Sequence, residues 1–301
     1  MRAVRFSRFG GPEVLELVEV PDPHPGPGEV RIVVRAAGVN ASDWKKRQGL
    51  MDPDLPQTLG YEAAGVVDEV GGDAHAKVGD RVFGFCTDGA AQAERAVLSH
   101  YAPVPASLGF ADVAALPAAV ETAARALDQL GVTDGTTVLV NGASGSVGSA
   151  AVQLAVARGA RVIGTASPRN HDLLRSFGAE AVAYGDGMAG RVRALAPDGV
   201  DLALDVAGSG VLGELVELAG GAENVVTVAD FTGAREHGVR FSRGDQGRAL
   251  YVLGQIGGLV ASGKLRLPEV RTFPLDDVAD AHRAGESGGA PGKIVLTVDA
   301  P

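Results

Sequence analysis

Cysteine is almost absent from this chain, since Cys86 is the single one among 301 residues. One cysteine excludes an internal disulfide and a zinc site built from several thiolates. Histidine offers no alternative, because the six histidines are scattered singly, without the short spacing typical of metal ligands: His24, His75, His100, His171, His237 and His282. We therefore predict that the chain holds no metal.

An excess of basic residues is also lacking. The formal net charge is −10 at pH 7, from 27 Lys and Arg against 37 Asp and Glu. Contacts with a nucleic-acid backbone need a basic face, so this charge argues against a nucleic-acid partner. A dinucleotide is still compatible with it, because such a ligand needs only a local patch.

Long apolar runs are missing too. The alanine-rich stretch at residues 150–160 is broken by Gln153 and Arg158, and no run reaches the roughly eighteen residues of a membrane span. The amino-terminal residues lack the apolar core of a signal peptide. We therefore expect a cytoplasmic protein without a membrane segment.

Hydrophobic residues make up 46% of the chain, and its length suits two domains. Alternating apolar and polar residues at 1–20 predict a hairpin that turns around Gly10, Gly11 and Pro12. Further short strands are predicted at residues 30–37, 63–70, 81–85 and 94–98. Short strands at this spacing are typical of a β-barrel-like domain. A change to helical spacing at residues 111–131 marks the domain boundary.

The stretch at residues 136–166 predicts strand, turn, helix and strand. Its turn carries Gly142, Gly145 and Gly148, a spacing that suits a sharp bend and close approach to a pyrophosphate. The helix that follows directs its N-terminal N–H groups, and the positive end of its dipole, toward those phosphates. We therefore predict a dinucleotide-binding site here, the alternative being a purely structural βα turn.

Strands and helices then alternate, which predicts a doubly wound parallel sheet. Helices are expected at residues 171–177, 190–195, 211–219 and 250–262, and strands at 181–184, 200–206 and 224–229. The tail returns to β character at 265–273 and 294–298, around a short helix at 275–286. The simplest topology has this tail rejoining the first domain.

Five motifs together resemble one family. They are AAGVNASDWKKRQG at residues 36–49, LGYEAAGVV at 59–67, KVGDRVFG at 77–84, NGASGSVGSAAVQLA at 141–155 and GKIVL at 292–296. The chain is similar to the zinc-independent medium-chain dehydrogenases/reductases, in the quinone oxidoreductase-like and enoyl reductase-like group. The resemblance implies an α/β fold: a GroES-like β-barrel catalytic domain at 1–121 and 265–301, a Rossmann domain at 122–264, and a cofactor cleft between them.

The same resemblance bears on the metal. Zinc-dependent relatives place a cysteine in the first motif and a His-Glu pair in the second. Here Asn40 and Tyr61 stand at the cysteine and histidine positions, and neither is a usual zinc ligand. Hydride transfer is therefore expected to proceed without a Lewis acid, so protein hydrogen bonds must polarise the substrate.

The region after the second Rossmann strand bears on the choice of cofactor. It has no carboxylate to bind the ribose hydroxyls and repel a 2′-phosphate. We predict NADP(H), with Ser167, Arg169 and Asn170 at the phosphorylated ribose. The resemblance implies that Tyr184 joins them, because similar reductases contribute a tyrosine to this phosphate pocket. The alternatives are that Arg169 is a solvated residue at a helix start and that Tyr184 only packs.

The remaining cofactor contacts are predicted at the glycine turn and at strand ends. The pyrophosphate is expected at Gly142, Ser144, Gly145, Ser146, Val147 and Gly148. By resemblance, the nicotinamide is expected near Thr122, Val206, Ala207, Gly208, Ala229 and Asp230.

Candidate catalytic residues, also taken from the resemblance, are Asn40, Asp43, Lys45 and Tyr61. Lys45 could donate a hydrogen bond to a substrate carbonyl, although relatives often carry a tyrosine there. It could equally belong to a solvated charge cluster, and Asp43 could be a structural partner of Arg47 or of backbone N–H groups. Trp44 and Tyr61 could line the pocket of a flat substrate or simply pack.

The resulting hypothesis is an NADPH-dependent oxidoreductase that transfers a hydride to a quinone or an α,β-unsaturated carbonyl compound. The alternatives are an enoyl reductase acting on a polyketide-like or thioester intermediate, and a noncatalytic NADPH-binding protein. The expected partners are a small-molecule substrate and a second copy of the chain in a homodimer.

Overall fold

The computed structural model describes residues 1–86, 89–288 and 292–299. Its elements up to residue 118 are β1 (Arg2–Phe6), β2 (Glu16–Glu19), β3 (Val30–Gly38), α1 (Ala41–Arg47), β4 (Gln57–Thr58), β5 (Glu62–Val70), β6 (Arg81–Phe85), β7 (Arg95–Leu98), β8 (His100–Pro103), α2 (Phe110–Ala114) and the start of α3 (Pro117–Leu130). Then follow β9 (Thr137–Asn141), α4 (Ser146–Ala157), β10 (Arg161–Ala166), α5 (His171–Ser176), β11 (Glu180–Ala183), α6 (Met188–Leu195), β12 (Leu202–Asp205), α7 (Leu212–Leu218), β13 (Val225–Thr227), α8 (Phe231–His237), β14 (Arg240–Phe241) and α9 (Val252–Ala261). The chain ends with β15 (Val270–Pro274), α10 (Val278–Glu286) and β16 (Lys293–Thr297).

The chain divides into two units. The first comprises Met1–Ala118 and Leu267–Pro301, and the second comprises Ala119–Arg266. The domain limits predicted above were 121/122 and 264/265. No helix in the described ranges is long and apolar enough to cross a membrane.

The first unit is built around a seven-stranded sheet in the order β15-β16-β3-β5-β6-β8, with β7 also paired to β3. Its longest strands, β3 and β5, are antiparallel, and alternating residues such as Ile32 and Val34 enter the core. β16 lies antiparallel to β3, with Leu296 opposite Ala37. The tail therefore returns to this unit, as the simplest topology predicted. The amino-terminal hairpin is also present, with β1 paired to β2.

The second unit contains a six-stranded parallel sheet in the order β11-β10-β9-β12-β13-β14. Counted within the unit, this is the Rossmann order 3-2-1-4-5-6. Consecutive residues of β9, Val138, Leu139 and Val140, are all buried, because helices cover both faces of the sheet. The strand order reverses between β9 and β12, and ligands gather beyond the carboxyl ends of the strands at such a point. The predicted doubly wound fold is confirmed.

Some predicted elements were wrong in extent. The single helix expected at residues 111–131 is two helices, α2 and α3, because Pro117 disfavours a helical residue before it. Proline is favoured in the first helical turn, so α3 begins at that residue. The strand expected at 265–273 is confined to β15, and a 3-10 turn at Leu275–Asp277 precedes α10. The short elements α1, β8, α8 and β14 were not predicted.

Candidate functional site

Two glycines of the turn between β9 and α4 have backbone positions that exclude a side chain. Gly142 has φ +83°, and a Cβ there would lie 2.9 Å from the Cβ of Ala207. A Cβ on Gly148 would lie 2.2 Å from the carbonyl oxygen of Gly142, because the first turn of α4 lies against the loop. Gly145 is less constrained, since its Cβ would meet that oxygen at 3.5 Å.

The amino end of α4 has exposed hydrogen-bonding capacity. Gly145 is the N-cap residue and has no side chain to accept from the first N–H groups of this twelve-residue helix. The N–H groups of Ser146, Val147 and Gly148 therefore have no intrahelical acceptor, and no acidic residue lies in the first turn. Together with the helix dipole, this arrangement fits a diphosphate.

A buried polar network lies beneath this loop. Its members lie at or next to the carboxyl ends of four neighbouring strands, and all are almost fully buried: Asn141, Thr165, Asp205 and Thr227. Thr165 Oγ1 donates to Asn141 Oδ1 at 2.7 Å, and Asn141 Nδ2 donates to Asp205 Oδ1 at 2.9 Å. Thr227 Oγ1 donates to Asp205 Oδ2 at 2.7 Å. Because four adjacent strand ends take part, the network fixes the loops that follow these strands.

Two of those loops carry predicted nicotinamide contacts. Asp205 Oδ1 accepts from the N–H groups of Ala207 and Gly208, both at 3.1 Å. Thr227 Oγ1 accepts from the N–H groups of Ala229 and Asp230, both at 3.1 Å.

The structure brings these two loops together, since a Cβ on Gly208 would lie 3.1 Å from Ala229. Val206 precedes this contact and is half-buried. Asp230 caps α8, because its Oδ1 accepts from Gly233 N–H at 2.8 Å. Thr122 lies on α3, where its hydroxyl accepts from Arg125 at 3.4 Å.

The predicted ribose-phosphate residues follow β10 and β11. Asn170 Nδ2 donates to Ser144 Oγ at 3.1 Å, so this region is joined to the glycine loop. Ser167 is half-buried, and Arg169 is exposed on a 3-10 turn. Tyr184 is 62% exposed, which argues against the alternative that it is a core packing residue.

In the first unit, Asn40 belongs to a buried ionic cluster. Lys293 Nζ lies 2.7 Å from Glu62 Oε1, and both side chains are almost completely buried. Asn40 Nδ2 donates to Glu62 Oε1 at 2.8 Å, while its Oδ1 accepts from Lys293. The backbone N–H of Ala118 donates to Glu62 Oε2 at 2.7 Å. Both polar atoms of the Asn40 amide are thus engaged within the protein.

Asp43 is fully buried near the start of α1. Its Oδ2 accepts from Asn40 N–H at 2.7 Å, and its Oδ1 accepts from Gly60 N–H at 3.2 Å. Burial raises the pKa of Asp43 to about 6, although these hydrogen bonds and the charge of Lys293 oppose the increase. Asp43 therefore joins α1 to the segment that contains Tyr61, which is the structural alternative considered above.

Comparisons with known proteins place the chain in a family. Residues 26–125 match the model "Alcohol dehydrogenase GroES-like domain", and residues 177–296 match "Zinc-binding dehydrogenase". The 2-methylene-furan-3-one reductase of Solanum lycopersicum is 34% identical, over 98% of this chain and 79% of that protein. The structure of the quinone oxidoreductase from Coxiella burnetii superposes with a TM-score of 0.82 at 32% identity, covering 99% of each chain. The chain belongs to the medium-chain dehydrogenase/reductase family.

A third relative is a segment of a much larger protein. The spectinabilin polyketide synthase system protein NorB of Streptomyces orinoci is 34% identical over 98% of this chain, which spans 14% of NorB. Its similarity to these relatives shows that this dehydrogenase/reductase is an oxidoreductase that uses a nicotinamide cofactor and a small-molecule substrate. The predicted family, fold class and enzyme class are confirmed.

Not every predicted catalytic residue of this dehydrogenase/reductase lies with the others. Asn40 and Asp43 are hydrogen-bonded, and Asp43 contacts Gly60 next to Tyr61. Lys45 is exposed on α1. Among residues 1–86, 89–288 and 292–299, no group of three or more His, Cys, Asp or Glu is arranged to hold a metal ion.

Trp44 is a packing residue of the first unit. It packs against α10, with its ring 6.4 Å from that of His282 in an edge arrangement, and it borders the core of the first unit. Burial, together with the nearby Arg47 charge, lowers the pKa of His282 to about 3, so this ring stays neutral at physiological pH. The packing alternative for Trp44 therefore fits the structure.

Several important residues were not predicted from the sequence. Glu62 and Lys293 stand inside two of the quoted motifs, and the available signal was a charged residue within an otherwise apolar strand. Asp205 and Thr227 are polar residues that end buried parallel strands, which is where this architecture places ligands. Lys46 is three residues from Asp43 and therefore shares its helix face.

Proposed function

We propose that this dehydrogenase/reductase is an NADPH-dependent reductase of electron-poor conjugated acceptors, either quinones or the β-carbon of α,β-unsaturated carbonyl compounds. The observation that carries the proposal is the uncapped amino end of α4, packed on a glycine loop that admits no side chain at Gly142 or Gly148. The acceptor class is supported by the quinone oxidoreductase and furanone reductase among the relatives.

The amino end of α4 and the loops after β12 and β13 would hold the cofactor. The N–H groups of Ser146, Val147 and Gly148 would bind the diphosphate. The loops that end in Gly208 and Asp230, fixed by the buried network, would position the nicotinamide. When bound, NADPH supplies the hydride, and the protein supplies orientation and electrostatic stabilisation.

Consumption of NADPH, followed by its absorbance, tests this function. We expect saturable turnover with at least one member of a panel that contains a benzoquinone, a naphthoquinone and a 2-cyclohexenone. Tight NADPH binding without turnover of any acceptor would favour the noncatalytic alternative. The absence of saturable NADPH binding would contradict the whole proposal.

The similarity to a polyketide synthase system protein supports a second candidate, an enoyl reductase that acts on a polyketide-like or thioester intermediate. An enoyl thioester such as crotonyl-N-acetylcysteamine belongs in the same panel. A kcat/KM that is much higher for the thioester than for free enones and quinones would favour this candidate. Similar values would favour a reductase of free small molecules.

The choice of NADPH over NADH depends on Arg169. Replacing Arg169 by alanine is expected to raise the KM for NADPH by about tenfold or more and to leave the KM for NADH unchanged, because a charged hydrogen bond contributes about 1.5–3 kcal/mol. Arg175→Ala is the matched control, since Arg175 is an exposed arginine on α5 paired with Asp172. An unchanged ratio of the two KM values in the Arg169 variant would remove Arg169 from the phosphate site.

We also propose that the protein is a homodimer and lies in the cytoplasm. Light scattering after size-exclusion chromatography is expected to give twice the 30.5 kDa mass of the chain. A monomer at micromolar concentration would contradict the dimer without affecting the catalytic proposal.

A further inference from the structure

Lys46, and not Lys45, lies beside the predicted catalytic tyrosine. The ammonium of Lys46 is 5.9 Å from the centre of the Tyr61 ring, within the range of a cation–π contact. Lys46 Nζ also donates to the carbonyl oxygen of Thr58 at 3.3 Å. The side chain of Lys45, one residue earlier, is exposed on α1.

The position of Lys46 is fixed by two contacts between α1 and residues 58–61. Asp43 accepts from Gly60 N–H, and one helical turn later Lys46 donates to Thr58 C=O. Both side chains therefore bind the same short segment, and Tyr61 follows directly after it. Because Asp43 is fully buried, this attachment is part of the folded unit and not a surface contact.

Within residues 1–86, 89–288 and 292–299, the ammonium of Lys46 and the phenol of Tyr61 both retain free donors. Among the described residues, Lys46 has no carboxylate within salt-bridge distance, and Tyr61 has no hydrogen-bond partner for its hydroxyl. An ammonium has three N–H donors, of which Thr58 takes one. Lys293 differs, because its ammonium is neutralised by Glu62.

Gly89 lies directly beside both groups. A Cβ built on it would lie 3.6 Å from both Lys46 Nζ and Tyr61 Cε1. The residue at this position carries no side chain, so nothing from it covers the two donors. Burial, and then the charges of Asp43 and Asp52, raise the pKa of Tyr61, which keeps the phenol protonated and able to donate.

We propose that Lys46 and the Tyr61 hydroxyl bind the oxygen of the acceptor and stabilise the negative charge that develops on it. The inference rests on the proposed function and names the oxygen-binding residues of that site. It assigns the cation to Lys46 where the sequence pointed to Lys45.

The chemistry needs such donors. When a hydride and its two electrons add to the β-carbon of an enone, a C–H bond forms, the C=C π bond breaks, and the displaced electron pair moves to oxygen as an enolate. The dihydronicotinamide is oxidised, the acceptor is reduced, and a proton from water completes the saturated carbonyl compound. Lys46 and Tyr61 donate hydrogen bonds to that oxygen and keep their protons. A quinone oxygen gains the same charge on its way to hydroquinone.

The test compares neighbouring lysines. Lys46→Met is expected to lower kcat/KM for the best acceptor about 100-fold, the usual effect of removing one oxyanion donor. Lys46→Arg, which keeps the charge, is expected to recover part of this loss. Lys45→Met tests the competing residue, and Lys77→Met is the control for removing an exposed lysine of the same unit. NADPH affinity, measured by fluorescence titration, is expected to stay unchanged in all four variants.

A second readout does not depend on turnover. 4-Nitrophenol carries an anionic oxygen like that of the product and absorbs visible light only as the phenolate. Binding to the wild type at slightly acidic pH is expected to increase the phenolate absorbance, and Lys46→Met is expected to abolish this increase. Tyr61→Phe is expected to reduce it, and this variant carries the test if Lys46→Met does not fold.

The outcomes separate this inference from the proposed function. A wild type without turnover of any acceptor contradicts the proposed function. An active wild type with equal kcat/KM in Lys46→Met and Lys77→Met overturns the assignment of Lys46 and leaves the function intact. A loss confined to Lys45→Met returns the assignment to Lys45. Reduced NADPH affinity in a folded Lys46→Met variant also overturns it, because the lysine would then act through the cofactor.

Discussion

Replacing Lys293 by methionine is expected to lower the free energy of unfolding by about 3–5 kcal/mol, the usual cost of leaving one member of a buried ion pair alone. Glu62 would then remain in a site with no solvent exposure and without its cation. Its remaining donors, Asn40 Nδ2 and the N–H of Ala118, are uncharged and only partly offset the buried charge. Urea unfolding, followed by circular dichroism, measures the change.

The double variant Glu62→Gln with Lys293→Met provides the matched control. It removes both charges and keeps an amide oxygen that can accept from Ala118, so it is expected to recover at least about half of the loss. Lys77→Met controls for the loss of an exposed lysine. A destabilisation by Lys293→Met of less than about 1 kcal/mol, the size of an ordinary substitution, would show that this pair is not the buried ion pair described here.

Replacing Gly148 by alanine is expected to weaken NADPH binding by about 100-fold, because losing one or two charged hydrogen bonds to the diphosphate costs about 1.5–3 kcal/mol each. The added Cβ would lie 2.2 Å from the carbonyl oxygen of Gly142 and 2.8 Å from the Cα of Ala143. Both neighbours are backbone atoms that cannot rotate away, so the loop must shift relative to α4. The strain is also expected to reduce the stability of the protein without cofactor by about 1–3 kcal/mol.

Gly190→Ala is the control for the Gly148 variant. Gly190 lies on the exposed side of α6 with nothing within 4 Å of a built Cβ, so alanine there is expected to stabilise the helix by about 1 kcal/mol. Fluorescence titration with NADPH and thermal unfolding are measured on both variants. Wild-type NADPH affinity in the Gly148 variant would contradict the placement of the diphosphate at this loop.

The second unit could largely be predicted from the sequence because its signals are local. β9, the glycine turn and α4 follow one another within residues 137–157, and each carries its own periodicity or turn residues. The short helices α1 and α8 were missed, since seven residues give too few turns for an apolar period. They are stabilised by their caps and by packing against the rest of the unit.

The sites were predictable in part for the same reason. The glycine loop is a contiguous motif, whereas the pairing of Glu62 with Lys293 joins residues 231 positions apart. No local sequence pattern can reveal a contact between residues so far apart in the chain. Choosing between Lys45 and Lys46 also required the direction of α1, because adjacent residues on a helix face different sides and the helix itself was not predicted.

The pairing of β16 with β3 has a consequence for biosynthesis. Residues 119–266 form a contiguous segment, so the six parallel strands can assemble as soon as that segment has emerged from the ribosome. The antiparallel sheet is completed only when Lys293–Thr297 has been made, and until then residues 36–38 of β3 keep an unpaired edge next to β7. Such an edge is a template for intermolecular strand addition. Nascent chains of this oxidoreductase are therefore most exposed to aggregation during the interval between completion of the nucleotide-binding segment and arrival of the last strand.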